Sequence, residues 1–383
     1  MKNLELYVHI PFCIKKCAYC DFLSFSADEN TQRKYVEAML DEIKSYVTDC
    51  AGYQVSTIYI GGGTPSWLDE NLIIKILIEI YNTFNVRSDA EITIECNPGT
   101  LTERKLKAYK NISINRLSIG LQSTKEEELK LLGRIHTYEQ FLRGYELARE
   151  VGFDNINLDL MSGLPGQTGE SFAETLKRVI NLKPEHISSY SLIIEKGTPF
   201  YDMYKFDAVK QHAGMETEFL PSEDEEYRMY KITQMLLKEA GYMQYEISNY
   251  SKKGYECIHN IGYWTRENYI GFGIGAASLF ENVRYSNTTD IYEYIKGQYH
   301  RQEEVIERKG QMEEFMFLGL RMNCGISRDA FERTFGMPIE AVYKEQIDSL
   351  KSQDLMMARE GRIFLTDKGM DLSNYCMSMF LFD

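Results

Sequence analysis

The chain has 383 residues, of which 44% are hydrophobic and 26% charged; these are ordinary globular values that exclude a disordered or collagen-like polypeptide. Its 43 basic and 57 acidic residues leave a formal net charge of −14, which argues against nucleic acid as a partner because an acidic surface repels phosphates. No stretch approaches the ~20 apolar residues of a membrane span, and the N-terminal run lacks a secretory signal's apolar core and cleavage site, so the chain reads as cytoplasmic.

Taken in chain order, the first half alternates β-rich runs with amphipathic helices. The pattern predicts a strand over Leu4–His9, then a helix with Val36, Met39, Leu40, Ile43 and Val47 on one face. Val55–Ile60 is strand-like and runs into Gly61-Gly62-Gly63, with a helix near Asp69–Phe84. Glu91–Glu95 and Asn115–Ile119 are the next strands, separated by a helix near Thr102–Tyr109. Helical stretches at Lys125–Leu132 and Tyr138–Glu150 precede a fifth strand at Phe153–Leu160. A helix near Glu170–Ile180, a sixth strand at His186–Ile193, a longer connection and a helix near Ser222–Ala240 complete the series.

Six βα units at this spacing predict a parallel sheet with right-handed crossovers, and six fall short of the eight that close a full barrel. The expected fold class is α/β, an open partial (βα)6 barrel over residues 1–240. A doubly wound dinucleotide-binding sheet is the alternative, but no G-x-G-x-x-G follows the first strand, and the glycine-rich Gly271–Gly275 comes late with the wrong spacing. Residues 241–310 read as an α+β segment capping the barrel. Residues 311–383 read as a small winged-helix-like module, with short helices and a hairpin at Met356–Leu365 that turns at Glu360-Gly361.

Cys50, Cys96, Cys257, Cys324 and Cys376 are scattered singly and read as small buried hydrophobes. The other three crowd into Cys13-Ile-Lys-Lys-Cys17-Ala-Tyr-Cys20, directly after the first strand. In an intracellular chain, clustered thiols read as metal-binding or catalytic before disulfide-forming. Three thiolates in one loop suit three corners of a 4Fe-4S cubane and leave the fourth iron open to an exogenous group. Zinc is the alternative, in a zinc-structured interaction protein. Structural zinc wants four ligands, yet Cys50 lies past a helix and His9 sits on the strand.

Glu95, Gln122 and Asp159 fall at the C-terminal ends of successive strands, the face on which α/β barrels place their sites. Together with Arg134, which can hold a carboxylate in a fork, they read as one pocket. The C-x3-C-x2-C triplet followed by Gly61-Gly-Gly-Thr-Pro65 resembles the radical S-adenosylmethionine superfamily. That resemblance implies that the open iron chelates the amino acid end of S-adenosylmethionine and that an electron from the cluster can cleave the sulfonium to a 5′-deoxyadenosyl radical.

A closer resemblance, to the HemN/HemW branch, covers nearly the whole chain. It is carried by Tyr7-Val-His-Ile-Pro-Phe-Cys13, Gly61–Ser66, Ser118–Gln122, Leu131–Arg134, Asp159–Pro165 and Gly271–Ser278. It implies a cluster on Cys13, Cys17 and Cys20. It also implies S-adenosylmethionine contacts from Tyr7, Gly62, Gly63, Thr64, Glu95, Gln122, Arg134, Asp159, Ile193 and Ala277.

Two activities within that branch pull apart. The coproporphyrinogen oxidases carry a fourth cysteine after the triplet and a longer N-terminal arm; here Phe22 takes the cysteine's place and the first thiol is residue 13. The haem-chaperone members have Phe at that position and an H-N-x-x-Y-W motif, matched by His259-Asn260-Ile261-Gly262-Tyr263-Trp264. Imidazole is a standard axial haem ligand, so His259 is the candidate haem residue, with Cys257 a second axial candidate. The family's G-A-H-G run is Gly275-Ala276-Ala277-Ser278 here, so its histidine is absent. The expected function is a haem carrier holding a 4Fe-4S cluster, S-adenosylmethionine and haem; the enzyme alternative is an oxygen-independent coproporphyrinogen oxidase or another radical enzyme acting on a tetrapyrrole. The partners implied are haem, an acceptor protein that can be membrane-associated, and a second copy of the chain in a homodimer.

Overall fold

In the first strand, β1 (Lys2–Ile10), Leu4, Leu6, Val8 and Ile10 are fully buried on one face while Glu5, Tyr7 and His9 take the other. The same division governs the strands that follow: aliphatic residues pack under helices, and polar or aromatic residues turn into the barrel. The computed structural model describes residues 1–299 and 302–382.

The chain proceeds through α1 (Glu29–Ser45), β2 (Tyr53–Gly62), α2 (Glu70–Thr83), β3 (Val86–Cys96), α3 (Glu103–Asn111) and β4 (Arg116–Gln122). It continues through α4 (Glu126–Leu131), α5 (Tyr138–Val151), β5 (Ile156–Ser162), α6 (Gly169–Leu182) and β6 (His186–Ser191). Side chains of Asp28, Asp69, Thr102, Thr137 and Thr168 cap the helix N-termini. Val47, expected on the buried face of α1, lies beyond its end and is exposed.

Strands β1 to β6 lie side by side in chain order, each parallel to the next. They do not close on themselves, so the expected open (βα)6 barrel is what forms. Beyond β6 come α7 (Pro199–His212), in the stretch expected to be a connection, and α8 (Glu223–Glu239). Helix α7 escapes the periodicity argument because its apolar residues do not share one face: it buries Phe200, Tyr204, Asp207 and Gln211 while Met203, Phe206 and Val209 are exposed.

The residues after 240 extend this sheet at both of its edges. Strand β7 (Met243–Gln244) pairs antiparallel with β8 (Asn249–Ser251), which itself adds antiparallel to β6; after α9 (Ile258–Thr265), β9 (Tyr269–Phe272) adds parallel to the free edge of β1. Strands β10 (Ala277–Phe280) and β11 (Val283–Ser286), then α10 (Ile291–Ile295) and β12 (Gln302–Val305), complete the run, and Tyr250, Phe272 and Tyr294 join the barrel's core.

A second core belongs to the C-terminal module: α11 (Arg308–Gly319), β13 (Ile326–Ser327), α12 (Arg328–Phe335), α13 (Glu340–Ser352), β14 (Met356–Arg359), β15 (Arg362–Leu365), α14 (Asp367–Asp371) and α15 (Ser373–Ser378). Its hairpin turns at Glu360 and Gly361, both at positive φ, as a two-residue turn requires. Residues 300, 301 and 383, inside the expected ranges 241–310 and 311–383, lie outside the described residues. Among the described residues no helix is long and apolar enough to cross a membrane.

Glu42 on α1 ties the extension to the barrel. Its fully buried carboxylate accepts from Gly273 N (3.0 Å), Asn287 Nδ2 (2.5 Å) and Tyr294 Oη (2.5 Å). Glu42→Ala strands those donors in the interior and is expected to lower unfolding free energy by roughly 3 kcal/mol, read as a lower urea midpoint.

Candidate functional site

The site begins where the chain leaves β1. Gly63 N donates to Ile10 O (2.8 Å), Thr64 N donates to Phe12 O (2.9 Å), and Thr64 Oγ1 lies 3.4 Å from Cys13 Sγ. The end of β2 is thus laced to the backbone that enters the cysteine loop. A Cβ on Gly63 would stand 2.9 Å from the Pro11 carbonyl carbon and 3.0 Å from Cys13 Sγ. Gly62 holds φ at 114°, and its Cβ would meet the His9 ring at 2.6 Å. Only glycines allow this approach.

A cavity of about 520 Å³ opens here, a size suited to a small-molecule ligand. Cys13, Cys17 and Cys20 all line it. Among the expected contact residues, Gly62, Gly63, Thr64, Glu95, Gln122, Arg134, Asp159 and Ile193 line it as well.

Arg134 connects the cysteine loop to the barrel. Its Nη2 donates to Gly120 O (2.6 Å), its Nη1 lies 3.6 Å from Cys17 Sγ, and its Nε is buried without a partner. A register shift between Gly120 and Gln122 against β5, with Gln122 at φ 68°, swings Gln122 out of regular pleat. There Tyr190 Oη donates to Gln122 Oε1 at 3.2 Å.

Two carboxylates share the wall. Glu95 accepts from Tyr59 Oη (3.0 Å) and Gly62 N (3.0 Å); Asp159 accepts from Asn157 Nδ2 (2.7 Å) and Ser118 Oγ (3.3 Å). Burial, then the charge of Asp159, pushes Glu95 up to about 7. Burial also raises Asp159, against the hydrogen bonds that favour its charged form. The site therefore pairs unfilled donor capacity on Arg134 with carboxylates whose charge is costly until a cation arrives. An α-amino acid carrying a sulfonium offers both complements, and three thiols stand beside them for a cluster. The residues fit a 4Fe-4S cluster with S-adenosylmethionine. Structural zinc would need a fourth protein ligand, and Cys50, the next cysteine in the chain, is not in the cavity lining. His9 is no fourth ligand, because Tyr7 Oη (3.0 Å) and Leu23 O (2.9 Å) engage both ring nitrogens.

Three expected contacts are not in the cavity lining. Tyr7 is a layer back, stacked on Tyr59 with ring centroids 6.3 Å apart. Ala277 is on the exposed start of β10, on the far side of β9 from the barrel strands. His259 is the main correction. Its ring is 1% exposed, stacked on Tyr59 (5.1 Å, 21°), with Nδ1 2.7 Å from Thr57 Oγ1 and Nε2 3.0 Å from Tyr263 Oη. Burial lowers it to about 3 and raises neighbouring Glu5 to about 9, so both are neutral at pH 7 and their 3.8 Å approach is no ion pair. Such a histidine presents no free nitrogen to an iron. Cys257 is equally buried, with Sγ 3.5 Å from Glu91 Oε1.

The His259–Trp264 segment instead plugs the barrel base. Glu91 caps its helix by accepting from Ile258 N and His259 N, both 3.1 Å; Gly262 abuts the Glu5 carboxyl; Arg321 of the C-terminal module stacks on Trp264 at 4.2 Å. Asn260 alone of the six reaches the cavity. The sequence reading also missed Tyr59, Arg116, Asn157, Ser188 and Tyr190 in the lining. Their signal was present as polar residues two positions apart, seen in Arg116 and Ser118, in Asn157 and Asp159, and in Ser188 and Tyr190.

His259→Ala is expected to cost about 2–4 kcal/mol of stability, the cost of truncating a packed, hydrogen-bonded core ring, seen as a lower urea midpoint. Glu95 predicts a pH effect. Its folded value of about 7 exceeds the ordinary 4.5, so its stabilising contribution is complete below pH 4.5 and is lost as pH rises through about 7. Between about pH 5 and 8, wild type is expected to lose on the order of 2 kcal/mol relative to Glu95→Gln.

The chain is similar to known proteins along its whole length. Residues 7–179 match the radical SAM superfamily, and residues 306–372 match the HemN C-terminal domain. The protein named heme chaperone HemW from Lactococcus lactis is 37% identical, with 100% of this chain and 98% of the relative covered. That of Escherichia coli is 35% identical over 99% and 98%. The solved structure of Escherichia coli coproporphyrinogen III oxidase (HemN) superposes with a TM-score of 0.84 at 26% identity, covering 99% of this chain and 90% of that one. With identity of that order along its whole length, the chain belongs to the HemW family, within the radical SAM superfamily.

Proposed function

We propose that the protein is a haem carrier that holds a 4Fe-4S cluster on Cys13, Cys17 and Cys20 and S-adenosylmethionine beside it, and that passes haem to an acceptor protein. The observation that carries the cofactor assignment is the convergence of three thiols, the Gly62–Thr64 turn, Arg134 with its unpaired Nε, and the Glu95–Asp159 pair on one cavity. When bound, the cluster's open iron supplies a chelation point for the amino acid end of the cofactor and an electron for its sulfonium.

This chain's residues do the rest. The Arg134 guanidinium takes the cofactor's carboxylate. Glu95 and Asp159 take its ammonium or ribose hydroxyls, with Tyr59 and Gly62 N holding Glu95 in place. The side-chain-free turn at Gly62 and Gly63 lets backbone amide and carbonyl groups face the ligand. The carrier reading draws on the relatives named heme chaperone at 37% and 35% identity. It also draws on Phe22, 64% exposed at the cavity rim where an oxidase would place a further thiol. Its partners are haem, an acceptor that can sit at a membrane, and a second copy of the chain in a homodimer.

The fold likeness to coproporphyrinogen III oxidase makes the enzyme reading the one to test against. Anaerobically reconstituted protein, supplied with reductant, S-adenosylmethionine and coproporphyrinogen III, is expected to give no stoichiometric 5′-deoxyadenosine and no decarboxylated product, while binding haem saturably. Stoichiometric turnover without haem binding would establish the enzyme instead. Single alanine variants of Cys13, Cys17 and Cys20 are each expected to lose iron and sulfide. Cys50→Ala, well away from the cavity lining, is expected to keep both.

A further inference from the structure

Helix α7 buries two polar side chains beside its two buried aromatic ones. Its buried side presents polar side chains that hold a loop: Asp207 accepts from Glu218 N (2.8 Å), Phe219 N (2.6 Å) and Leu220 N (2.8 Å), and Gln211 Nε2 donates to Pro221 O (2.6 Å). Its outer side leaves Phe206 75% and Val209 69% exposed. A groove of about 430 Å³ runs along this outer side, walled by Phe206, Val209, Tyr201 and Ile194, with Lys205 and His212 on its border. Exposed aromatic and branched side chains gathered in one concave strip mark a binding surface.

We propose that this groove is the haem site, with His212 as axial ligand. The inference rests on the haem-carrier reading above and moves the site away from His259. Three features of the groove match a metalloporphyrin. The apolar wall offers a dry face for the macrocycle. Lys205 offers a cation for a propionate: its Nζ lies 5.7 Å from the Tyr201 ring centroid and 5.4 Å from that of Phe206, and among the described residues it forms no ion pair. His212 is exposed, and its Nδ1 lies 2.7 Å from Ala208 O. A carbonyl only accepts, so Nδ1 carries the proton and Nε2 of the neutral ring holds the lone pair. A backbone carbonyl fixing the tautomer in this way is the usual support of a metal-ligating histidine.

Spacing supports the assignment. Tyr201, Lys205, Ala208 and His212 are separated by three or four residues and form one stripe on the helix. Lys205 and His212 stand two turns apart, roughly 10 Å along the axis, so a cation and an iron ligand border opposite parts of one flat ligand. The groove is shallow, so part of the porphyrin edge stays outside, which suits cargo that has to be surrendered. It also adjoins the cluster site: Ile193 lines the cofactor cavity and Ile194 the groove, and Phe200 N at the start of α7 donates to Ala18 O (3.0 Å), between Cys17 and Cys20.

The test is titration of the reconstituted full-length protein with ferric haem, followed at the Soret band against a cluster-matched reference. Wild type is expected to bind one haem saturably, with the band of a histidine-ligated iron. His212→Ala is expected to bind at least tenfold more weakly with a shifted band, and added imidazole is expected to restore the band. Val209→Asp, which puts a carboxylate in the apolar wall, is expected to abolish binding with no rescue. If wild type binds haem and His212→Ala gives the same affinity and spectrum, the groove is overturned while the carrier reading stands. If wild type binds no haem, the carrier reading fails and the groove with it. If Val209→Asp only turns a dimer into a monomer and leaves the titration unchanged, the stripe is a self-association surface and the proposal is overturned.

Discussion

Most of the candidate site depends on one backbone contact, the lacing of the residues after β1 to the glycine turn after β2. Two main-chain hydrogen bonds, Gly63 N to Ile10 O and Thr64 N to Phe12 O, set the distance between the cysteine loop and the turn. Cys13 is thereby fixed beneath Thr64, and the remaining thiols follow within a short loop whose far side is held by Ala18 N to Leu132 O (3.0 Å). A methyl group at Gly63 would push directly on the Pro11 backbone and on Cys13 Sγ. The cavity thus exists because the turn after β2 carries no side chains where it meets the Pro11–Cys13 segment after β1.

The second constraint is the barrel's interior. An open six-stranded barrel has an inward face too narrow for free solvent and too polar for an apolar core. The inward residues resolve this by pairing with one another. Tyr59 bridges Glu95 above and the His259 ring below; Asn157 joins Asp159, Ser118 and His186. Two of the groups left unpaired belong to the cavity lining: Arg134 Nε and Arg116 Nε are both buried without acceptors, and burial raises Glu95 beside them to about 7. Buried donors without partners are expensive, so two guanidinium nitrogens left unpaired on residues of this cavity suit a ligand that satisfies them. Below them, the His259–Trp264 helix closes the base and reaches the C-terminal module through Trp264 and Arg321. Its aromatic and imidazole groups serve the fold.

Much of this was legible from residue order. Short β-branched runs alternating with amphipathic helices specified the parallel strands, because period-2 and period-3.6 patterns are each tied to one backbone geometry. Cys13, Cys17, Cys20 and the Gly61–Gly63 turn were legible because their spacing has few other uses. Helix α7 was not, since Asp207 and Gln211 face inward to hold a loop that appears only in three dimensions. The sheet's continuation past residue 240 was not, since β9 pairs with β1 across the whole length of the barrel's sequence. His259 misled because its motif sits in a haem-chaperone pattern, whereas its burial depends on Thr57, Tyr59 and Tyr263 arriving from two elements. Polar alternation in β4 to β6 was readable but shorter than the windows in which periodicity stands out.

The measurement that most directly tests the central claim is the electron paramagnetic resonance spectrum of the anaerobically reconstituted, dithionite-reduced protein, with and without S-adenosylmethionine. The account predicts the signal of a reduced 4Fe-4S cluster that changes when the cofactor binds its open iron, and an Arg134→Ala protein whose cluster signal no longer responds. A protein without iron and labile sulfide, or a cluster signal indifferent to S-adenosylmethionine in wild type, would contradict it.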